Sequence, residues 1–254
     1  MRRIQKKSAR DLTILLTILV LLFSSPISLA EMPDWVKTGI KIEHPGKIAV
    51  EYLGQIQASP PRYHVKVADK LFTLFDDVKG PDYHTAQLIE WSEVKPHEDV
   101  LEIGTGSGAI AIFTAPNARH VLATDISAAA LANSEYNIKQ FGLSEKIQLL
   151  HSDLFKAIPT GAKFDVVFFN IIYPYNAKTL HHWTLHERFF REVGVYLKPN
   201  GRIYYQAGYI ENIPKVQQMV RANKLRIAAM HMMNVPKYHR EPIVFVIEPQ
   251  PASH

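Results

Sequence analysis

The stretch that most constrains this chain is VLEIGTGSGAIAI, Val100 to Ile112, where an apolar run enters alternating glycines and leaves as a helix. Val100, Leu101 and Ile103 read as a short buried strand, and Gly104, Gly106 and Gly108 let the backbone bend sharply and approach a ligand closely. Ala109 to Ile112 begins a helix whose free N–H groups point back at whatever sits on the turn. Two ligand classes use such a turn. The dinucleotide pattern G-x-G-x-x-G/A is met by Gly104, Gly106 and Ala109, and the adenosyl-sulfonium pattern E-x-G-x-G-x-G by Glu102, Gly104, Gly106 and Gly108. The turn alone leaves both open.

Around it, the apolar pattern alternates as a doubly wound α/β sheet requires. Strand-like runs are Val100 to Ile103, Val121 to Thr124, Ile147 to His151, Val166 to Asn170, Gly201 to Gln206, Leu225 to Met230 and Ile243 to Ile247. Helical stretches separate them, including Ala128 to Phe141 with Ser127 as N-cap and Gly142 just past its end. The final two strands are joined by Asn234 to Glu241, too short for a crossover helix, so they pair antiparallel. Such an ending is unlike that of a dinucleotide-binding sheet. Upstream, Glu31 to Ser59 reads as an irregular lead-in broken by Pro33, Pro45, Gly46 and Gly54, and Pro60-Pro61 marks a boundary. The spacing of Val67, Leu71, Phe72 and Phe75 predicts a helix over 65–75, and a second helix covers Thr85 to Trp91. The expected organisation is a lead-in over 31–60, one folded domain over 61–249 and a tail over 250–254.

The formal charge of +5 invites a nucleic-acid reading, but residues 1–30 hold five basic side chains against Asp11 alone. The other 224 residues carry 24 basic and 23 acidic groups, which argues against a phosphate-tracking surface. The first thirty residues have the three parts of an export signal: a basic segment to Arg10, an apolar run from Leu12 to Phe23, and a small-residue segment ending at Ser28 and Ala30. The expectation is a removable signal or a membrane anchor with the folded part outside the cytoplasm, a cytoplasmic protein being the alternative, and membrane contact limited to these residues. Cysteine is absent, which excludes disulfides, thiolate metal sites and cysteine nucleophiles.

From Pro81 to Phe155 the sequence resembles a class I S-adenosylmethionine-dependent methyltransferase. VLEIGTGSG resembles that family's motif I; ATDIS puts Asp125 at the tip of the second strand; ALANSEYNIKQFGL matches the spacing of Asn137 before Gly142-Leu143; HSDLF puts Asp153 at the tip of the third strand; and FDVVFFNIIY resembles motif IV. The resemblance implies a Rossmann-like, seven-stranded, mostly parallel sheet with an antiparallel C-terminal hairpin, and S-adenosylmethionine as cofactor. It implies that Asp125 accepts from the ribose hydroxyls and Asp153 from the adenine amine, and that Glu102 orients the loop or the cofactor's amino group. Thr85, Gly104, Thr105, Gly106, Gly108, Ile126, Leu154 and Asn170 complete the implied cofactor site. No metal site is expected.

Motif IV bears on the acceptor. In the release-factor glutamine and small-domain subgroup this strand ends Asn-Pro-Pro-Tyr, and here it reads Asn170-Ile171-Ile172-Tyr173. The resemblance implies that Asn170 accepts from a target NH₂ while the Tyr173 ring packs on a planar substrate. Both prolines are missing, and with them the rigidity that fixes the neighbouring carbonyl. In the subgroup's preceding segment an acid and a threonine follow a proline; His84 stands where the acid is expected, before Thr85. The implied reaction is direct in-line methyl transfer to a nitrogen of a small molecule or protein side chain. A sensing or vestigial cofactor-binding domain and a dinucleotide-dependent oxidoreductase are the alternatives. The HHWTLHE segment, with His181, His182, His186 and Glu187, lacks HExxH and a third ligand and reads as a solvated or pocket-rim helix.

Overall fold

The computed structural model describes residues 40–43, 47–233 and 242–251. The 1–30 segment and the 234–241 connection therefore lie outside the described residues. Its strands are β1 (Ile40–Glu43), β2 (Val50–Ile56), β3 (Arg62–Val67), β4 (Lys70–Phe75), β5 (Asp99–Ile103), β6 (His120–Asp125), β7 (Ile147–His151), β8 (Phe164–Phe169), β9 (Leu197–Tyr209), β10 (Leu225–Met233) and β11 (Pro242–Pro249). Its helices are α1 (Tyr83–Trp91), α2 (Ala109–Thr114), α3 (Ala128–Gln140), α4 (Trp183–Tyr196) and α5 (Ile213–Ala222).

Eight strands form one sheet in the order β1-β10-β11-β9-β8-β5-β6-β7. Strands β5 to β9 pair parallel, and β11 runs antiparallel to both β9 and β10, so the expected seven strands and their reversed ending are all present. Because successive side chains point to opposite faces, each central strand feeds two cores. Leu101, Ile103, Val167, Phe169 and Ile203 pack with Phe189, Phe190 and Val193 of α4 and Val216 and Val220 of α5. Val100, Val166, Phe168 and Val244 pack with Leu88, Ile110, Ile112 and Ile138 of α1, α2 and α3. The chain runs outward from β5 through β6 to β7, then returns to place β8 on the other flank of β5. That reversal opens a crevice beyond the carboxyl ends of β5 and β8, where open α/β sheets hold ligands.

Two expectations upstream are corrected. Part of the irregular lead-in is ordered as strand: β1 pairs parallel with β10, and β2 pairs antiparallel with β3. The helix expected over 65–75 is a hairpin, β3 and β4, with Val67 opposite Lys70 and Ala68 at a φ of 51° in the turn. The period of two wins because it buries Val65, Val67, Phe72 and Leu74 together on α2 and α3. The edge of β4 is satisfied by α3 rather than by another strand. The Asn137 and Asn133 carboxamide oxygens accept from the Thr73 and Phe75 amides at 3.0 and 2.9 Å, and both side-chain nitrogens donate to the Thr73 carbonyl.

Candidate functional site

The glycine turn is held by β6 on one side and by α3 on the other. The Gly104 and Thr105 amides donate to the Thr124 carbonyl at 2.8 and 2.9 Å, Ser134 Oγ donates to the Gly106 carbonyl at 2.8 Å, and Asn137 Nδ2 donates to the Ser107 carbonyl at 2.9 Å. Gly104, Gly106 and Gly108 have φ of 79°, 55° and 83°, the left-handed region that β-carbons oppose. Below the turn, Glu102 Oε2 accepts from Thr105 Oγ1 at 2.8 Å and from the Ala111 amide at 3.1 Å. Glu102 is 3% exposed. Burial, with the Asp125 charge adding to it, outweighs those two hydrogen bonds and pushes its carboxyl up to about 8.

Over the turn lies a cavity of about 480 Å³, within the usual range for small-molecule sites. Three acidic side chains, Glu102, Asp125 and Asp153, reach it from the ends of three adjacent strands. Asp125 accepts from the Gly106 amide at 3.0 Å and the Ser127 amide at 2.9 Å, so it ties β6 to the turn and to the start of α3. Asp153 Oδ2 accepts from Arg188 Nη2 of α4 at 3.0 Å, which puts a guanidinium on this wall. Ile126 is 66% exposed and presents an apolar face between the two acids.

On the β8 side, Asp82 and Thr85 fix the orientation of one amide. Asp82 caps α1 and accepts from the His84 and Thr85 amides at 3.0 and 3.1 Å. Burial works to raise its carboxyl, but the hydrogen bond from the His84 ring, then the Lys79 charge and the Thr85 amide, hold it well below the usual carboxylate range. An ionised carboxylate only accepts, so the Thr85 hydroxyl proton points at Asp82 Oδ1, 3.4 Å away. Thr85 Oγ1 therefore accepts from Asn170 Nδ2 at 3.1 Å. With its NH₂ committed, Asn170 offers the cavity a carbonyl oxygen.

Tyr173 is turned away from that cavity. Its hydroxyl lies 2.9 Å from His84 Nε2, and its ring stands edge-on to Tyr209 over Gly208. Asp82 Oδ2 at 3.5 Å favours the imidazole proton on Nδ1, which leaves Nε2 to accept from the phenol. Burial first, then Tyr209, Tyr83 and Asp82, push this phenol far above its ordinary value, so it stays neutral. His186 is fully buried, with Nε2 3.0 Å from the Ile172 carbonyl and Nδ1 2.6 Å from Tyr205 Oη. Burial lowers His186 to about 4, past the opposing Ile172 hydrogen bond and helped by His182, so the ring is neutral at pH 7.

A sequence profile of the methyltransferase small domain matches residues 77–225, more than half of the chain and all of this site. The chain belongs to that family. Among curated relatives, it is 42% identical over 78 residues to a release factor glutamine methyltransferase from Rhodopirellula baltica, covering 30% of this chain and 26% of the relative. It is 45% identical over 80 residues to a ribosomal protein uL3 glutamine methyltransferase from Burkholderia pseudomallei, covering 28% and 26%. The match thus spans about a quarter of each relative's length. Among solved structures, a ribosomal protein L11 methylase from Lactobacillus delbrueckii subsp. bulgaricus superposes with a TM-score of 0.56 at 25% identity, over 70% of this chain and 84% of that one.

The cofactor of this methyltransferase family is S-adenosylmethionine, and the cavity suits it. A cation with an adenosyl group needs carboxylates, an apolar face for the base and main chain free of β-carbons, all of which line this crevice. A β-carbon at Gly104 would come within 2.7 Å of Ile171 Cγ1, so the turn has no room for a side chain against the β8 loop. Of the residues expected at the site, Thr85, Glu102, Gly104, Thr105, Gly106, Asp125, Ile126, Asp153, Leu154 and Asn170 line the cavity. Gly108 and Tyr173 do not line it. A β-carbon at Gly108 would meet Ser134 at an ordinary contact distance of 3.4 Å, so this glycine serves the left-handed turn into α2, at a φ of 83°, rather than a tight packing contact. Asp82 and Arg188 were missed. Asp82 is legible as a capping pattern, Asp-x-x-Thr ahead of a helix, whereas nothing in the sequence spacing ties Arg188 to Asp153.

Proposed function

We propose that this chain is an S-adenosylmethionine-dependent methyltransferase whose acceptor is a planar side-chain amide of a protein, of the glutamine type. When bound, the cofactor supplies an electrophilic methyl group on a cationic sulfur. Asp125 accepts from the ribose hydroxyls with the lone pairs its two amide contacts leave free, Ile126 faces the base, and Asp153, steadied by Arg188, accepts from the adenine amine. Glu102 holds the turn in shape and answers the positive charge of the methionine portion. Asn170 orients the acceptor.

The observation that carries this reading is the order of hydrogen bonds from Asp82 through Thr85 to Asn170. It leaves one carbonyl oxygen at the cavity wall, and a carbonyl recognises an N–H. An amide nitrogen held there by its hydrogens is set for direct displacement, so alignment supplies most of the effect and no covalent intermediate is needed. The names of the relatives, which act on glutamine of release factors and of ribosomal protein uL3, support an amide over an amine.

The test is labelling. Protein incubated with methyl-labelled S-adenosylmethionine and a ribosomal and soluble protein extract should label a protein band, and acid hydrolysis of that band should release labelled methylamine. The label should be absent with Asn170→Ala. Label retained on an amino acid that survives hydrolysis would contradict an amide acceptor.

A further inference from the structure

The segment after β8 carries Asn170 but has no proline until Pro174, so something else must hold it. A carbonyl oxygen can only accept, so the 3.0 Å contact between the Ile172 carbonyl and His186 requires the imidazole proton on Nε2. Nδ1 then has only a lone pair, and the Tyr205 hydroxyl donates to it at 2.6 Å. The direction of every proton is fixed from Tyr205 through His186 to Ile172. Tyr205 lies in β9, fully buried, with its ring against Phe169, Phe189, Phe190 and Phe245. The loop carbonyl is thereby referred to the least yielding part of the core.

We propose that His186 is a positioning residue for the acceptor loop: by fixing the Ile172 carbonyl through a tyrosine-ordered imidazole, it sets the place of Asn170 two residues earlier. A proline would stiffen such a loop from within; here the stiffness comes from α4 beneath it. His84 braces the same loop at Tyr173 from α1. A buried histidine that merely satisfied its own nitrogens would lower overall stability when replaced but would not loosen this loop selectively.

The test uses the full chain and three variants. Asparagine at 186 is about one bond too short to reach the carbonyl, leucine fills the space without a donor, and glutamine brings an N–H to the same distance. The first readout is the order parameter of the Ile171 and Ile172 δ1 methyls, with Ile203 of β9 and Ile112 of α2 as controls. His186→Asn and His186→Leu should lower it at 171 and 172 alone, and His186→Gln should restore it. Where His186→Leu does not fold, the Asn and Gln pair decides. Unchanged order at 171 and 172, or an equal loss at the controls, overturns the proposal.

The second readout rests on the methyltransferase reading above. With the acceptor found by labelling, His186→Asn should lower kcat about ten- to a hundredfold, while the Kd for S-adenosylmethionine stays within about twofold of the parent protein. A changed Kd with unchanged kcat overturns the positioning role. Wild-type protein that binds no S-adenosylmethionine would refute the methyltransferase reading instead, and the methyl measurements would still judge His186.

Discussion

Asn170 donates to Thr85 Oγ1 at 3.1 Å across a separation of 85 residues, joining the end of β8 to the first turn of α1. Thr85→Val keeps the volume and removes the hydroxyl, so the Asn170 amide loses its orienting partner. Turnover should fall about tenfold or more, with cofactor affinity changed far less. Steady-state labelling beside calorimetric titration checks this; equal losses in both would mean that Thr85 serves the cofactor alone.

Glu102 makes stability depend on pH. Its folded value of about 8 lies above the ordinary 4.5, so the fold favours the protonated acid. Its contribution is full below about pH 4.5 and is lost as pH rises through 8. Unfolding free energy should therefore decline by a few kcal/mol, on the order of what linkage gives for a buried group, between pH 5 and 9. Glu102→Gln should flatten that slope, measured by denaturant titration across pH. A slope unchanged in the variant would place the effect elsewhere.

The same carboxyl should lose its proton when a cationic ligand arrives. Titration of S-adenosylmethionine at pH 7 in buffers of different ionisation enthalpy should then show net proton release, diminished in Glu102→Gln. Heats independent of buffer would show that Glu102 keeps its protonation state on binding.

Gly208 has a φ of 73°, and a β-carbon there would fall 2.2 Å from Tyr173 Cε2. Gly208→Ala should displace the tyrosine and cost about 1–3 kcal/mol of stability from strain and overpacking. Thermal unfolding measures it, and a variant as stable as its parent would show that the ring has room to move.

Much of the sheet was legible because parallel strands buried on both faces read as apolar runs, VLEI and DVVFF among them. The edges were not. Val67, Leu71 and Phe72 satisfy a helical spacing, and only the joint packing of Val65, Val67, Phe72 and Leu74 against the helices, which leaves Leu71 exposed, decides for strand. β1 is four residues long and pairs with β10 some 190 residues later, so its register is set entirely by distant contacts. At the site, the strand-tip acids Asp125 and Asp153 were legible because chain order places them. The direction of Tyr173 was not, since it depends on His84 and Gly208, which sequence spacing does not connect to it.

We also propose that residues 1–30 direct export and are removed after Ala30. Sequencing the N-terminus of protein purified from its native host should then read from Glu31, and an intact Met1 would contradict removal.

The proposed nucleoside site lies at the ends of β5, β6 and β7. Calorimetric titration of the chain with S-adenosylmethionine, its demethylated product and NAD tests it most directly. The prediction is one site per chain for both adenosyl-sulfur compounds, none for NAD, and loss of binding in Asp125→Ala. Binding of NAD alone, or undiminished S-adenosylmethionine binding in Asp125→Ala, would contradict it.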